Sequence, residues 1–317
     1  MKIKTFHALI LILAIAALTA VNSSGQPGNS KQRVRTVTIP ISIYTQQELE
    51  GNQSEEYVQA DRLIVKEDKE EQTILSIRSV TNTPLALAIL VQDDLSSDVN
   101  LQLASLKSFI RKLPKGSRVM VAYVRGGTMQ VRQKFTDDVD KAAASLRIVT
   151  SSAAAAPRSP YDSVIDTHDR FDAMPLVRRA IPLISDRLDA SQGLNNISPA
   201  SSSELDRAIL RAQKRSVAIY SIYAPASLTE NGGASLVLAG QGSLEKLSDQ
   251  TGGRAFYQGS SAAVSFDPFF KDLTLLLNRQ FALTYLSTHM KRGYHKVEVI
   301  STNPAVTIEH PKGYYYR

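Results

Sequence analysis

The chain of 317 residues contains no cysteine. Disulfides, thiolate metal sites, a cysteine nucleophile and a lipid-modified cysteine are therefore excluded. Tryptophan is also absent, and Lys plus Arg exceed Asp plus Glu by only 37 to 30, for a formal charge of +7. The basic residues form no block and no basic-aromatic cluster, so nucleic-acid binding is not expected. Long apolar runs are scarce. The main one, Ala8 to Ala17, falls short of the roughly 20 residues that a spanning helix needs. Preceded by Lys2 and Lys4 and followed by small or polar residues, it reads as an export signal over 1–24, with removal near Ala20 or Gly25. An uncleaved anchor is the competing reading, and no later segment is long enough to span a membrane. Loss of Lys2 and Lys4 lowers the charge from +7 to +5. An exported chain without disulfides fits the bacterial envelope, secreted or periplasmic.

After the signal, 25–32 is a Gly/Ser/Pro/Asn-rich linker. From 33 to 80 the apolar period becomes two, in Thr36-Val37-Thr38-Ile39, Ile41-Ser42-Ile43-Tyr44, Arg62-Leu63-Ile64-Val65 and Ile74-Leu75-Ser76-Ile77, which predicts a small β module. The charged run Lys66 to Glu71 reads as a surface hairpin turn.

From Thr83 the pattern alternates strand and helix, with apolar runs at 85–91, 118–124, 180–185 and 217–223. That alternation predicts an α/β domain over 81–288, a doubly wound, mostly parallel sheet covered on both faces. Met129 to Phe135, after Gly126-Gly127, is expected as an antiparallel edge strand. Ser201-Ser-Ser-Glu204 has the capping-box spacing, and Ser243 is expected to cap the next helix, which Thr251-Gly252-Gly253 ends. Asp272 to Arg279 reads as a final helix and Phe281 to Ser287 as a strand. Residues 289–317 form a C-terminal β segment with Val297, Val299, Val306 and Ile308 as core positions, and pairing of this tail with the N-terminal module stays open.

The first buried strand ends at Asp93-Asp94 and breaks into Leu95-Ser96-Ser97-Asp98. In an open α/β sheet such a junction faces a ligand crevice. Further pieces fall in a recognisable order: Gln72-Thr73-Ile74-Leu75-Ser76-Ile77, Phe135-Thr136-Asp137, Ile184-Ser185-Asp186, Ile219-Tyr220-Ser221-Ile222, Leu247 to Tyr257, Leu277-Asn278-Arg279-Gln280-Phe281 and Gly313-Tyr314. In this order the chain resembles the von Willebrand factor type A domain, in its exported, acidobacterial-type (VWFA-related) subgroup, over roughly residues 35–317.

The resemblance implies a von Willebrand A, Rossmann-like fold and a metal-ion-dependent adhesion site. That site is built from Asp-x-Ser-x-Ser, a threonine and a Thr-Asp-Gly turn, hard oxygen ligands around Mg²⁺ with one position open to a partner's carboxylate. Here the pattern is degenerate. Asp94, Ser96 and Asp98 stand in for the first motif, with Asp93 and Ser97 as the other register. Ser159 or Ser163 replaces the threonine, and Ser185-Asp186-Arg187 replaces Thr-Asp-Gly. Asp94, Ser96, Asp98 and Asp186 would be the ligands of Mg²⁺ or Ca²⁺. The metal-free reading has Asp94 and Asp186 held by Arg187, Arg158 or backbone amides, with Arg187 pairing with Asp186 in place of the cation.

Enzyme readings are weak. Ser243-Leu-Glu-Lys246 has the Ser-x-x-Lys spacing but lacks its partner motifs. His168, His289, His295 and His310 lack metal-ligand spacing; His289 and His295 could meet across a turn but read as satisfied surface histidines. Asp162, Asp166, Asp169 and Asp172 lack the glycine and glutamate of a calcium loop and read as a solvated face. The expectation is a non-catalytic binding or adhesion module. Its contact face would be the loops starting at Asp94, Arg125, Arg158 and Arg187, with the arginines engaging an acidic protein or envelope polymer. The alternative is a structural component of the envelope that acts by self-association, as a homo-oligomer.

Overall fold

The computed structural model describes residues 33–50, 62–151, 158–174, 178–191, 193, 198–259 and 261–316. The expected signal and linker lie outside them. Val34–Arg317 pack as one compact unit.

Strand β1 (Arg35–Thr45) leads into a short helix, α1 (Gln46–Leu49), followed by β2 (Leu63–Glu67) and β3 (Glu70–Ser79). The chain then enters β4 (Ala86–Gln92), whose residues pack on both sides. Leu87, Ile89 and Val91 face one core with α2 (Leu103–Arg111) and α8 (Asp267–Asn278). Ala88 and Leu90 face another core with α4 (Pro160–Arg170), α5 (Ser203–Arg215) and α7 (Ala234–Thr251). A strand buried on both faces needs apolar residues at every position, which is why this segment reads as a continuous run rather than an alternation.

β4 sits centrally in a six-stranded sheet of order β6-β5-β4-β7-β8-β9. Its other strands are β5 (Arg118–Arg125), β6 (Thr128–Thr136), β7 (Arg179–Ser185), β8 (Val217–Tyr223) and β9 (Ala255–Phe256). All neighbours run parallel except the edge strand β6, which hairpins back on β5 through Gly126 and Gly127, both at positive φ. The sheet is therefore mixed, and its order is that of a doubly wound fold.

The accessory β module is larger than the sequence suggests. It is a seven-stranded antiparallel sheet of order β12-β1-β10-β3-β2-β11-β13. The added strands are β10 (Gln280–Ser287), β11 (Gly293–Ser301), β12 (Val306–Glu309) and β13 (Gly313–Tyr316). The tail thus joins the N-terminal strands: Val37 lies opposite Tyr285, and Val65 opposite Val299. β10, expected inside the α/β domain, is the strand between β1 and β3. Alternate residues Val37, Ile39, Ile41, Ile43, Leu63, Val65, Leu283, Tyr285, Val297 and Val299 make the core of this sheet.

A buried arginine ties the chain between the two sheets. Arg178 donates to the carbonyls of Thr81 (2.8 Å), Thr83 (2.7 Å) and Leu277 (2.6 Å) and to the Gln280 side chain (3.1 Å). Leu277 lies in the last turn of α8, so the guanidinium satisfies a helix carbonyl that has no partner within the helix. Among the described residues no helix is long and apolar enough to cross a membrane.

Candidate functional site

The connections from β4 and β7 leave in opposite directions along the sheet, so the crevice between their carboxyl ends is the topological switch point. Three loops are pinned there. Leu95 forms a bridge with Ala226, and the Ser96 amide donates to the Pro225 carbonyl (2.9 Å), which ties the loop after β4 to the loop after β8. Gln92, the last residue of β4, accepts through Oε1 from the Ser185 hydroxyl (2.5 Å) and the Asp186 amide (3.2 Å). Gly240 in α7 completes the packing: a Cβ there would lie 2.2 Å from the Asp186 carbonyl oxygen.

Asp186 is 3% exposed. Its Oδ1 accepts from the Leu188 amide (3.2 Å), and its Oδ2 from the Thr229 hydroxyl (3.3 Å). Burial pushes its pKa up to about 6 against these hydrogen bonds, and the nearby Asp94 carboxylate adds to the rise.

Arg187 is neither on the surface nor paired with Asp186, which corrects both expectations. It is 1% exposed, donates to the Pro160 carbonyl (3.0 Å) and lies 5.3 Å from the centre of the Tyr161 ring. Its Nε and Nη2 have no partner, and burial lowers its pKa to about 10. Its φ of 48° is the left-handed conformation that glycine adopts without strain, so the arginine occupies a backbone geometry suited to glycine.

The other expected residues are scattered around this centre. Ser159 is buried and caps α4, accepting from the Tyr161 amide (3.3 Å) and donating to Asp189 (2.5 Å). Ser163 donates to the Pro160 carbonyl (2.6 Å). Arg158 is half-exposed and faces Asp162 (3.4 Å) and Asp166 (3.7 Å). Asp98 is exposed on the rim of a cleft of about 490 Å³ lined also by Pro225, Thr229, Glu230, Val237 and Ala262.

Asp93 is held elsewhere. The Arg147 guanidinium meets both its oxygens (2.7 and 3.0 Å), Arg125 lies 3.6 Å away, and the Thr150 amide donates at 3.3 Å. Burial pushes the Asp93 carboxyl up, but the Arg147 hydrogen bonds and charge prevail and hold it below the ordinary carboxylate value. Arg125 is thus half-buried against Asp93 rather than a contact residue.

Among the described residues, Asp94, Asp98 and Asp186 do not gather into a group of three acids able to hold an ion. Asp93, the start of the other register, is engaged by the Arg147 guanidinium through both oxygens. Ser243 lies within α7 rather than at its start and donates to the Ala239 carbonyl (2.8 Å), while Lys246 bonds Asp206 (2.7 Å) and the Pro199 carbonyl (2.9 Å). The Ser-x-x-Lys pair is not in contact through these groups.

No family model and no curated protein matches the sequence. Solved structures similar to the chain include a von Willebrand factor type A protein from Catenulispora acidiphila, at 10% identity over 82% of this chain and 76% of that one, with a TM-score of 0.46. An aerotolerance-related membrane protein from Bacteroides fragilis is 12% identical over 61% of this chain and 98% of that one, with a TM-score of 0.41. The SpRpn10 VWA domain is 15% identical over 61% and 94%, with a TM-score of 0.34. The architecture of this chain rests on its own strand order.

Arg147 and Thr229 are site residues that the sequence reading did not single out. Arg147 interrupts the apolar stretch Leu146 to Val149, and such a charge carries the signal of a buried pair. Thr229 stands three residues after Ala226 and accepts from its amide (2.8 Å), a local turn signature.

Proposed function

We propose that the chain is an exported, non-catalytic binding module of von Willebrand A type, secreted or periplasmic, that recognises a macromolecular partner at the carboxyl end of its parallel sheet. The observation that carries this reading is the cleft of about 490 Å³ between the segments that follow β4, β8 and β9, where the loops after β4 and β8 are pinned to one another by backbone bonds. A preformed concave surface on a rigid sheet suits recognition, because little order is lost on binding.

The chemistry of the rim changes the expected partner. Arg187 is buried and Arg158 faces two aspartates, so an arginine face for an acidic partner lacks support. Asp98 and Glu230 line the cleft with Val237, Pro225 and Ala262, which suits a segment carrying basic and apolar side chains. Recognition is metal-free in this reading. The self-association alternative draws little from the antiparallel sheet, whose edge strands β12 and β13 are four residues long and offer a short template for pairing.

A photo-crosslinker placed at Asp98, compared with one at the exposed Leu75 of β3, tests the surface. With an envelope extract, Asp98 should give a discrete adduct that persists in EDTA. Unlabelled wild type should compete it away, and the Asp98→Lys/Glu230→Lys double variant should not. Adducts at Leu75 alone, or equal competition by the double variant, would overturn the assignment.

A further inference from the structure

A second cluster of ligating side chains lies in the antiparallel sheet, away from the switch point. The β2–β3 turn contributes Glu67 and Asp68, and the β10–β11 connection and the start of β11 contribute His289 and His295. Ligand atoms of Glu67, Asp68 and His289 all lie within 4.8 Å of one another. His295 Nδ1 is 2.8 Å from Asp68 Oδ2 and 3.3 Å from Glu67 Oε1, and His289 Nδ1 is 3.8 Å from Glu67 Oε1.

Two atoms in this cluster make no hydrogen bond. Glu67 is 0% exposed, yet its Oε2 has no partner, and neither has His289 Nδ1. The rest of the Glu67 carboxylate is firmly held: Oε1 accepts from Arg35 (3.2 Å), Ser287 (2.9 Å) and Tyr314 (2.7 Å). A carboxylate anchored through one oxygen with the other vacant is arranged as a ligand whose orientation is fixed by its surroundings. Both imidazoles are turned the same way. Nε2 of His295 lies 2.7 Å from the Lys291 carbonyl, and Nε2 of His289 faces Glu70 at 3.6 Å. An Nε2–H directed at those acceptors leaves the Nδ1 lone pairs toward Glu67 and Asp68, so that each ring would bind an ion through one nitrogen while the other donates to the protein.

We propose that Glu67 Oε2, Asp68, His289 Nδ1 and His295 Nδ1 form a zinc site. Two imidazoles and two carboxylates make a borderline donor set suited to Zn²⁺. Bonds of about 2.0–2.2 Å in a tetrahedron place ligand atoms about 3.3 Å apart; the ligand atoms of Glu67, Asp68 and His289 lie within 4.8 Å of one another, and His295 Nδ1 stands beside that group, 2.8 Å from Asp68 Oδ2. Two negative carboxylates with two neutral imidazoles balance the ion. Asp68 and His289 are partly exposed and provide its entry path. Bound there, the ion ties the β2–β3 turn to a segment more than 200 residues later in the chain. Without an ion, Glu67 Oε2 and His289 Nδ1 make no hydrogen bond.

The test uses the untagged full chain, stripped with EDTA and titrated with Zn²⁺, with Mg²⁺ as control. One equivalent should bind, and a hundredfold excess over Kd should raise Tm by about 5 °C or more. Co²⁺ should give the intense visible bands of a tetrahedral site. His289→Ala should weaken Zn²⁺ binding at least about tenfold. It leaves the hydrogen bonds to Glu67 Oε1 in place, so it tests the site even if Glu67→Gln fails to fold. Wild-type affinity in His289→Ala, absence of a one-equivalent binding event, or a weak octahedral Co²⁺ spectrum would each overturn the assignment.

Discussion

Replacing Asp186 with asparagine should make this protein more stable, and only above a certain pH. The folded pKa of Asp186 is raised from the ordinary 3.8 to about 6, chiefly by burial. The folded state therefore keeps a proton that the unfolded chain releases. The stability from that protonated form is full below about pH 3.8 and is lost as pH rises to about 6. Above that range the folded protein carries a buried carboxylate. The difference of about two pH units, at 1.36 kcal/mol each, corresponds to about 3 kcal/mol. The Asp186→Asn side chain would remove the charge and keep most of the hydrogen bonds. Its oxygen can accept from the Leu188 amide, and its NH₂ can donate to Thr229, whose own proton can point to the Ala226 carbonyl 2.8 Å away. Urea unfolding of both proteins at about pH 8 and about pH 3.5, at equal ionic strength, should show a gain of about 2–3 kcal/mol at the higher pH and almost none at the lower. An equal gain at both pH values, or a less stable variant at pH 8, would refute the argument. A cation held by Asp186 predicts a loss at pH 8 instead, so the same experiment also bears on metal-free recognition.

Arg147→Met should destabilise by about 2–3 kcal/mol near neutral pH, because it leaves the buried Asp93 with only Arg125 and the Thr150 amide. Since the folded Asp93 pKa is depressed, its stabilisation is present above the unfolded value and is lost as pH falls through the folded one. The gap between variant and wild type should accordingly close in acid, and a pH-independent gap in denaturant titrations would count against the pair. Gly240→Ala sets two effects against each other. Helix propensity alone favours alanine by about 1 kcal/mol, whereas its Cβ would meet the Asp186 carbonyl at 2.2 Å. The clash should prevail with a net loss of about 1–3 kcal/mol, and a raised Tm would show that α7 can move away at little cost.

The parallel strands are legible in the sequence because burial on two faces leaves no room for polar residues, and the alternating runs are legible because the pleat has a period of two. What a period cannot reveal is the neighbour. β1 pairs with β10 and β12, more than 200 residues away, so alternation identifies its buried face but not the size of the sheet. Glu67 reads as part of a solvated turn, although Leu63, Val65 and Glu67 follow the same alternation and all three are buried. The charge outweighs the period in such a reading. His295, expected on the surface, is buried too, as are His168 and His310.

At the candidate site the same difficulty recurs. Arg187 directly follows a strand and reads as exposed, yet a carbonyl from Pro160 and the Tyr161 ring accept its guanidinium inside the protein. Ser243 resembles a cap because Gly240 and Gly242 are poor helix formers, but packing on β8 carries the helix through them.

The interleaved order of the antiparallel sheet governs how the chain must come together. Among the described residues β1 finds strand partners only in β10 and β12, so a growing polypeptide exposes Val37, Ile39, Ile41 and Ile43 until the residues beyond Arg279 have been made. During that interval the segment is an apolar, β-prone ribbon with both edges open, the kind of stretch that associates with other chains. The α/β sheet contains none of these late strands. Closure of the first strand therefore waits on residues 280–309, and a chain that stops short of them keeps β1 as an unpaired apolar edge.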